Sequence, residues 1–427
     1  MVRVTRRAFR RAFLQRAILA SVAVIITATL FTLTGPQPIT FAAGLAGQNG
    51  QQHSHAQANQ PQYIPLAKFR LQGIDGPYTT QGNLILGADH QPYLFHGIAR
   101  DDLEYLCTSD GHYTNQELGY MGAGNSTAKV TYWGANIVRF PLSENFWLYG
   151  ASSQGCSAAQ YQALVHRVVD TVTGMNLNVM LDLQWTNAGG HSLAVGDLAG
   201  DAWSMPDKNS ITFWQQVATA YKGYDNVLFE LFNEPHLAAS NWACWRNGCQ
   251  ITNDYSGPGG HDRNRFSYQA IGMQTLVNTV RQAGANNLAV VAGVSWGFDL
   301  SQIPTYHLDG SNIVYDTHPY PYAGKTAAYW DASFGSIAAT YPVISSESGE
   351  YDCHNTFVSQ LLDYFDMHGI GWIAWAWVPP SGSVCTYPGL ITRLTGTPAP
   401  RMGQYVYQHL HIYLAVLAGQ EVPATLQ

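Results

Sequence analysis

The chain has 427 residues, of which 46% are apolar and only 11% are charged, and it contains 12 tryptophans and 25 tyrosines. This composition excludes a disordered chain and allows one large globular core. The net charge of −7 makes nucleic acid an improbable partner, because its phosphates would be repelled.

The first 43 residues have the pattern of an export signal. Six arginines precede an uncharged apolar run at residues 17–34, and Ala42 and Ala43 offer a cleavage site. We therefore predict a signal peptide over residues 1–43 and a secreted protein. The alternative is an uncleaved membrane anchor outside the cytoplasm, since the run is close to the spanning length of about 20 residues. Removal of residues 1–43 would change the net charge to −13.

Composition divides the rest of the chain. Residues 44–62 are rich in Gln, Asn, His, Ala and Gly without apolar periodicity, which indicates a flexible linker. We predict one catalytic domain over residues 63–418 and a tail over 419–427. No internal repeat is evident, and the protein is expected to be a monomer.

Short apolar runs alternate with helical patterns after the linker. A β-hairpin is predicted from residues 84–86 and 93–95, leading into the first core strand. Seven further strand-like runs lie at 136–140, 178–183, 227–232, 288–292, 313–316, 343–346 and 372–377. Helical patterns between them lie at 158–173, 211–221, 266–283 and 357–367.

This alternation predicts an α/β fold, a (β/α)8 TIM barrel with a short N-terminal hairpin and long βα loops. An open doubly wound sheet is the alternative. It would need a glycine-rich phosphate turn after an early strand, and the sequence has none.

Six cysteines in an exported chain favour disulfides over a metal site, and their spacing lacks a zinc pattern. Sequence alone permits fifteen pairings. Cys244 and Cys249 are the first choice because they lie close together in one predicted loop. Pairing the rest in sequence order would join Cys107 to Cys156 and Cys353 to Cys385.

The chain has few glutamates, so candidates for catalytic acids can be identified by eliminating the others. Glu234 and Glu347 each come directly after a strand-like run, where barrel enzymes collect their catalytic groups. Two carboxyls there can act as acid and nucleophile, although acids at strand ends also cap helices and pair with arginine. Residue types alone leave both readings open.

The segment Leu-Phe-Asn-Glu-Pro-His at residues 231–236 resembles the signature of glycoside hydrolase family 5, the cellulase family. Further motifs of that family follow in order over roughly residues 66–415. The resemblance implies a retaining (β/α)8-barrel enzyme with Glu234 as acid/base and Glu347, in Ser-Ser-Glu-Ser, as nucleophile. It also implies that Asn233 bonds the sugar 2-hydroxyl and that Arg139 braces the carboxylates.

The same resemblance assigns substrate contacts to His318 and Tyr320, from the His-x-Tyr motif, and a sugar platform to Trp375, with Trp377 as second choice. Gln184 stands where many members have histidine, and Ser348 follows the nucleophile where Phe or Trp is frequent. These two departures affect the identity of the substrate more than the mechanism.

Each role has a structural alternative. Arg139 could merely balance Glu230, His318 could be a satisfied structural histidine, and Trp375 could fill the core. Four other tryptophans could stack on sugars through their ring faces, namely Trp147, Trp185, Trp203 and Trp296.

The resemblance therefore implies hydrolysis of a polysaccharide or oligosaccharide without metal or cofactor. β-1,4-Glucan is the leading substrate, and β-mannan or a β-glucosidase-type substrate is the alternative. A non-catalytic carbohydrate-binding protein is the alternative of another class. It would have lost a catalytic glutamate, whereas both are present.

Overall fold

The computed structural model describes residues 66–71, 73–122, 132–186, 203–253, 266–321, 326–352, 354–379 and 387–417. The predicted signal peptide, linker and C-terminal tail lie outside these ranges, as do Cys353 and Cys385. Within the described ranges, no helix is both long and apolar enough to cross a bilayer.

An antiparallel hairpin precedes the core, as predicted, but it begins earlier in the chain. Strand β1 (Thr79–Gln81) pairs with β2 (Leu84–Leu86). Residues 93–95 were expected to be the second strand. Tyr93 does bond through its backbone N–H to the Ile85 carbonyl at 2.9 Å, so this segment also runs beside β2 before the barrel begins.

The further strands of the described residues, in chain order, are β3 (His96–Ala99), β4 (Ile137–Ser143), β5 (Asn178–Trp185), β6 (Val227–Glu230), β7 (Cys249–Asn253), β8 (Phe266–Ala270), β9 (Ala289–Ala292), β10 (Ile313–Asp316), β11 (Val343–Ser348), β12 (Gly371–Ala374), β13 (Ile391–Arg393) and β14 (Thr397–Pro398). Eight of them are parallel and form a closed barrel in the order β3-β4-β5-β6-β9-β10-β11-β12, with β12 pairing back to β3. The predicted (β/α)8 barrel is confirmed.

Helices cover the outside of the barrel. Those of the described residues are Asn115–Met121, Glu144–Tyr149, Ala158–Gly174, Lys208–Tyr221, Trp242–Asn247, Met273–Gln282, Ile303–Tyr306, Ala327–Trp330, Ser336–Ala338, Thr356–His368 and Met402–Leu417. A π-helical segment, Asp331–Gly335, joins two of them. Side-chain hydrogen bonds cap the N-termini of several of these helices. Ser157, for example, forms a reciprocal capping box with Gln160 at the start of Ala158–Gly174.

Several predicted bounds differ from the structure. The strand expected over 227–232 ends at Glu230. The helix expected over 266–283 begins only at Met273, because Phe266–Ala270 pairs with Cys249–Asn253 as an antiparallel hairpin. The last barrel strand ends at Ala374 instead of continuing to residue 377. Trp375 and Trp377 therefore lie in the loop after that strand.

The alternation of side chains along the strands divides the barrel interior into layers. Ile137, Met180 and Leu228 point inward and form an apolar layer with matching residues of the other strands. Two residues further along the same strands, the inward positions are Arg139, Asp182 and Glu230. The interior thus changes from apolar to charged towards the carboxyl ends of the strands, where a barrel has its functional face.

Two disulfides are present in the described residues. Cys107–Cys156 joins the loops after β3 and β4, and Cys244–Cys249 closes a short loop after β6. Both pairs are those expected from sequence order. The predicted pair of Cys353 with Cys385 stays a prediction.

A buried histidine lies at the start of β3. The ring of His96 stacks on Tyr413 at a centroid distance of 3.9 Å. Neither ring nitrogen has a hydrogen-bond partner among the described residues. Burial, together with His409, lowers the pKa of His96 well below its usual 6.5. The folded protein therefore holds this ring neutral.

We predict that His96 makes the fold sensitive to acid. The unfolded chain binds a proton on this residue below about pH 6.5 and the folded chain does not, so stability falls as pH falls, by up to about 1.4 kcal/mol per pH unit. His96→Phe should reduce that loss in denaturant unfolding measured from about pH 7 to about pH 5. His307→Gln is the control, because His307 is exposed. Parallel curves for wild type and His96→Phe would contradict the prediction.

Candidate active site

A buried arginine occupies the centre of the charged layer. Arg139 donates two hydrogen bonds to Glu230, at 2.6 and 2.8 Å, and one to the Asn233 side-chain oxygen at 2.8 Å. Its remaining terminal nitrogen donates to Glu347 at 3.2 Å, and Asp182 lies 3.0 Å away. Arg139 therefore balances Glu230 and braces Glu347 at once, so the two sequence-based alternatives both hold.

Glu347 is held by donors on two sides. The Tyr320 hydroxyl donates to one carboxylate oxygen at 2.6 Å, and Arg139 donates to the other. Burial and the adjacent charge of Glu234 raise the pKa of Glu347 to about 7, against the opposing effects of Arg139, His318 and Tyr320. This carboxyl group thus titrates near neutral pH.

Glu234 faces Glu347 across the barrel mouth. A carboxyl oxygen of each, together with a ring nitrogen of His318, lies within 4.8 Å of the others. The Glu234 side chain is 17% exposed, against 8% for Glu347. The structure therefore brings the two glutamates singled out in the sequence into one accessible pair.

His318 is fixed from both sides of its ring. Its Nδ1 lies 3.1 Å from Glu234, while its Nε2 lies 3.1 Å from Asp316 and 2.9 Å from the Ser346 hydroxyl. Burial lowers its pKa, but the negative charge of Asp316 and hydrogen bonds to the acids raise it well above the usual value. The ring is therefore a cation that can donate to Glu234.

The tryptophans expected near the site separate into two groups. Trp375 lies with its ring centroid 5.7 Å from the Arg139 guanidinium, and its indole N–H donates to the Tyr387 hydroxyl at 2.8 Å. Trp377 is fully buried and packs edge-on against Trp133 at 5.2 Å. The structure thus places Trp375 in the site and Trp377 in the core outside the barrel.

Gln184 lies at the end of β5, in the position where the family often has histidine. Its side-chain oxygen is buried and has no hydrogen-bond partner among the described residues. A buried acceptor without a donor is unfavourable, so a ligand hydroxyl would satisfy it.

One of the four other tryptophans is strongly exposed. Trp296 is 41% accessible, and its ring stacks on His236 at 4.0 Å. The His236 Nδ1 lies 3.0 Å from the Glu234 backbone oxygen. Trp147 and Trp203 are buried, and Trp185 is half-buried.

Sequence reasoning missed several residues of this site. Side chains alternate between the two faces of a strand, and Gln184, His318 and the apolar interior residues lie on the inward face. Asp182, Asp316 and Ser346 lie on the same face of their strands, so this alternation could have predicted them. Nothing in the sequence indicated that Tyr387 would bond Trp375, because that contact joins two parts of a loop.

Two groups of described residues bring three ligand atoms within 4.8 Å of one another. They are Glu230, Asp316 and His318, and Glu234, His318 and Glu347. Both share His318, whose ring is cationic, and Arg139 contacts an acid of each. A metal ion there would have to displace the His318 proton and lie beside the Arg139 guanidinium, so these residues fit one poorly.

A closed parallel barrel with a close pair of glutamate carboxyls at its strand ends defines a barrel-type glycoside hydrolase. The family model described as "Cellulase (glycosyl hydrolase family 5)" matches residues 106–381, well over half of the chain. The chain therefore belongs to glycosyl hydrolase family 5, in agreement with the resemblance of its motifs.

Similar proteins include an endoglucanase of Clostridium saccharobutylicum, 23% identical over 253 residues, which are 57% of this chain and 46% of that protein. The manganese dependent endoglucanase Eg5A of Phanerodontia chrysosporium is 23% identical over 255 residues, 56% of each chain. The chain thus spans about half the length of these relatives. The β-glucanase SdGluc5_26A of Saccharophagus degradans, solved with cellotetraose, has the same fold, with a TM-score of 0.59 at 18% identity over 86% of this chain and all of that one.

We predict that Arg139→Met lowers the free energy of unfolding by about 3 to 5 kcal/mol, because it leaves Glu230 and its neighbours buried without a counter-charge. Arg246→Met is the matched control. Arg246 pairs with an exposed Asp309, and such a surface pair contributes at most about 1 kcal/mol. Thermal and denaturant unfolding at neutral pH measure both variants, and equal losses would contradict the central role of Arg139.

Proposed function

We propose that the protein is a retaining endo-β-1,4-glucanase. The observation that carries the retaining mechanism is the closeness of Glu234 and Glu347, which bring one carboxyl oxygen each to within 4.8 Å of the other. Retaining glycosidases hold their carboxyls about 5 to 5.5 Å apart, whereas inverting enzymes need about 6.5 to 9.5 Å to admit a water. The spacing supports direct attack by a carboxylate.

The contacts of the two acids support different roles. Glu347 accepts from Tyr320 and Arg139, which stabilise its ionised form, so we assign it as the nucleophile. Glu234 is the more exposed acid and contacts His318, so we assign it as the acid/base. Burial and the neighbouring charge of Glu234 raise the pKa of Glu347 to about 7, so two charged carboxylates in contact are disfavoured below that pH.

In the first step, Glu234 gives its proton to the glycosidic oxygen while Glu347 bonds to the anomeric carbon and the leaving sugar departs. The single negative charge of the pair thus moves from Glu347 to Glu234, where the His318 cation stabilises it. In the second step, Glu234 takes a proton from water, whose oxygen displaces Glu347. The sugar leaves with retained anomeric configuration.

Three further residues are proposed to bind the reacting sugar. The Asn233 oxygen accepts from Arg139, which leaves its amide NH2 to donate to a sugar hydroxyl. The unpaired oxygen of Gln184 would accept from another hydroxyl. Trp375, held by Tyr387, offers an aromatic face beneath the ring.

Trp296 is proposed to bind the sugar on the leaving-group side. Its exposed ring stacks on His236, whose Nδ1 contacts the backbone oxygen of Glu234. The names of similar proteins, endoglucanase and β-glucanase, support a β-glucan substrate. We also propose that the protein works outside the reducing cytoplasm, because it carries two disulfides.

We predict that a 2-deoxy-2-fluoro cellobioside with a good leaving group labels Glu347. Loss of the 2-hydroxyl destabilises the oxocarbenium-like transition state and leaves the sugar esterified to the attacking residue. Peptide mass spectrometry locates the label, and Glu347→Gln should lose several orders of magnitude in kcat.

Glu350→Gln is the matched control, since that carboxylate accepts backbone N–H groups of Val358 and Phe357 at 3.0 and 3.3 Å and supports a helix start. It should keep most activity. A label on Glu350 would overturn the assignment. Product analysis on soluble β-1,4-glucan, mannan and xyloglucan tests the substrate, and release from mannan alone would overturn the glucanase proposal.

We predict that kcat/KM falls above about pH 7, as the last proton leaves the pair. Tyr320→Phe should move this decline upward by about one to two pH units, because the lost hydrogen bond had favoured the ionised carboxylate. Tyr224→Phe is the control, since Tyr224 bonds the exposed Asp170 far from the site. An unmoved profile in Tyr320→Phe would show that this hydrogen bond does not set the titration.

A further inference from the structure

The end of β11 and the loop after β12 are joined through their backbones. The Trp375 backbone N–H donates to the Ser348 carbonyl at 2.8 Å, one residue after Glu347. The next backbone N–H, of Ala376, donates to the Pro388 carbonyl at 2.9 Å. Trp375 therefore lies between the strand that carries Glu347 and the chain segment around Pro388.

The Trp375 side chain is held separately from its backbone. Its indole N–H donates to the Tyr387 hydroxyl at 2.8 Å, and its ring lies 5.7 Å from the Arg139 guanidinium. Rotamer preference restrains the ring torsion of an aromatic side chain only weakly, so a contact from outside is needed to fix the plane of the ring. The Tyr387 hydroxyl supplies that contact.

Gly349 allows the segment with Tyr387 to lie close to β11. A Cβ at position 349 would lie 2.7 Å from the Pro388 Cβ and 3.2 Å from the Trp375 backbone oxygen. Carbon atoms pack best at about 3.5 to 4.0 Å, so a larger residue at position 349 would push Pro388 away. Pro388 directly follows Tyr387, and a shift of one would move the other. The close approach, not a positive φ, thus requires the glycine.

The position of the Trp375 ring relative to Glu347 affects the rate of the proposed reaction. In that mechanism, the reacting sugar lies on Trp375 while Glu347 attacks its anomeric carbon. The two reacting atoms must approach to about 3 to 3.5 Å, and a misplacement of about 1 Å can cost a factor of about 100 in rate. Because Gly349 lies two residues after Glu347, its contact with Pro388 relates the ring directly to the attacking residue.

We propose that Gly349, Tyr387 and Pro388 are positioning residues of the reaction. Together they form a seat that fixes the Trp375 ring relative to Glu347. Each of the three acts through Trp375. This inference rests on the proposed function, in which Trp375 lies beneath the reacting sugar. Every productive complex therefore depends on the seat, whatever the length of the substrate.

A double-mutant cycle tests the hydrogen bond of the seat, with an aryl β-cellobioside as substrate. Tyr387→Phe removes the acceptor of the indole N–H and should lower kcat/KM about three- to tenfold. Trp375→Phe removes the N–H itself, so adding Tyr387→Phe to that variant should change kcat/KM by less than about twofold. Losses that multiply in the double variant would show independent roles and overturn the proposal.

Gly349→Ala tests the close approach. It should lower kcat about ten- to a hundredfold and change KM much less, because a displaced ring misplaces the anomeric carbon more than it weakens binding. Gly174→Ala is the matched control, since a Cβ there would meet nothing within 4 Å, and it should keep the wild-type kcat. A wild-type kcat in Gly349→Ala would overturn the seat.

Tyr413→Phe separates positioning from stability. The Tyr413 hydroxyl accepts from the Trp372 indole N–H at 3.1 Å, in a buried contact between β12 and the helix Met402–Leu417. Its loss should lower the melting temperature and leave kcat/KM unchanged, whereas Tyr387→Phe should lower kcat/KM well below its own melting temperature. Equal kinetic losses in the two variants would overturn the proposal. A wild type that hydrolyses no β-1,4-glucoside would contradict the proposed function, and this inference with it.

Discussion

The charged layer of the barrel depends on one buried guanidinium. Arg139 contacts Asp182, Glu230, Asn233 and Glu347, which come from three other strands and the loop after one of them. Only arginine offers donors in a planar fork that can bind one carboxylate with two hydrogen bonds and still reach others. The attraction of this cation lowers the pKa of Glu230, although burial alone would raise it. The ends of the strands are therefore held in register by electrostatics as well as by backbone bonds.

The second cation of the site, His318, supports the charge transfer of the proposed mechanism. In that mechanism, the negative charge of the pair lies on Glu347 before reaction, next to Arg139 and Tyr320. After the nucleophile forms its ester, the charge lies on Glu234, next to His318. Each acid thus has its own preorganised donors, so no reorganisation of solvent is needed when the charge moves. Asp316 and Ser346 contribute by fixing the orientation of His318.

Much of this arrangement could be predicted from the sequence, because it depends on strand periodicity. Glu234 and Glu347 follow buried apolar runs, and parallel strands bring their carboxyl ends together. Other features depend on contacts within a loop or between loops. The bond of Trp375 to Tyr387 and the stack of Trp296 on His236 have no local signal. The same holds for residues 266–270, where pairing with another segment overrides a helical pattern.

The turn after β9 shows how such loop contacts are maintained. Ser295 and Trp296 both adopt left-handed backbone conformations, with φ of 57° and 63°, which cost about 1 to 3 kcal/mol each. Backbone hydrogen bonds to Leu237 and Pro235, both in the loop that follows Glu234, hold them there. The exposed Trp296 ring is thus placed by the segment that also carries Glu234. Because the turn and Glu234 share this support, a substitution that alters substrate preference through this turn would also disturb the position of Glu234.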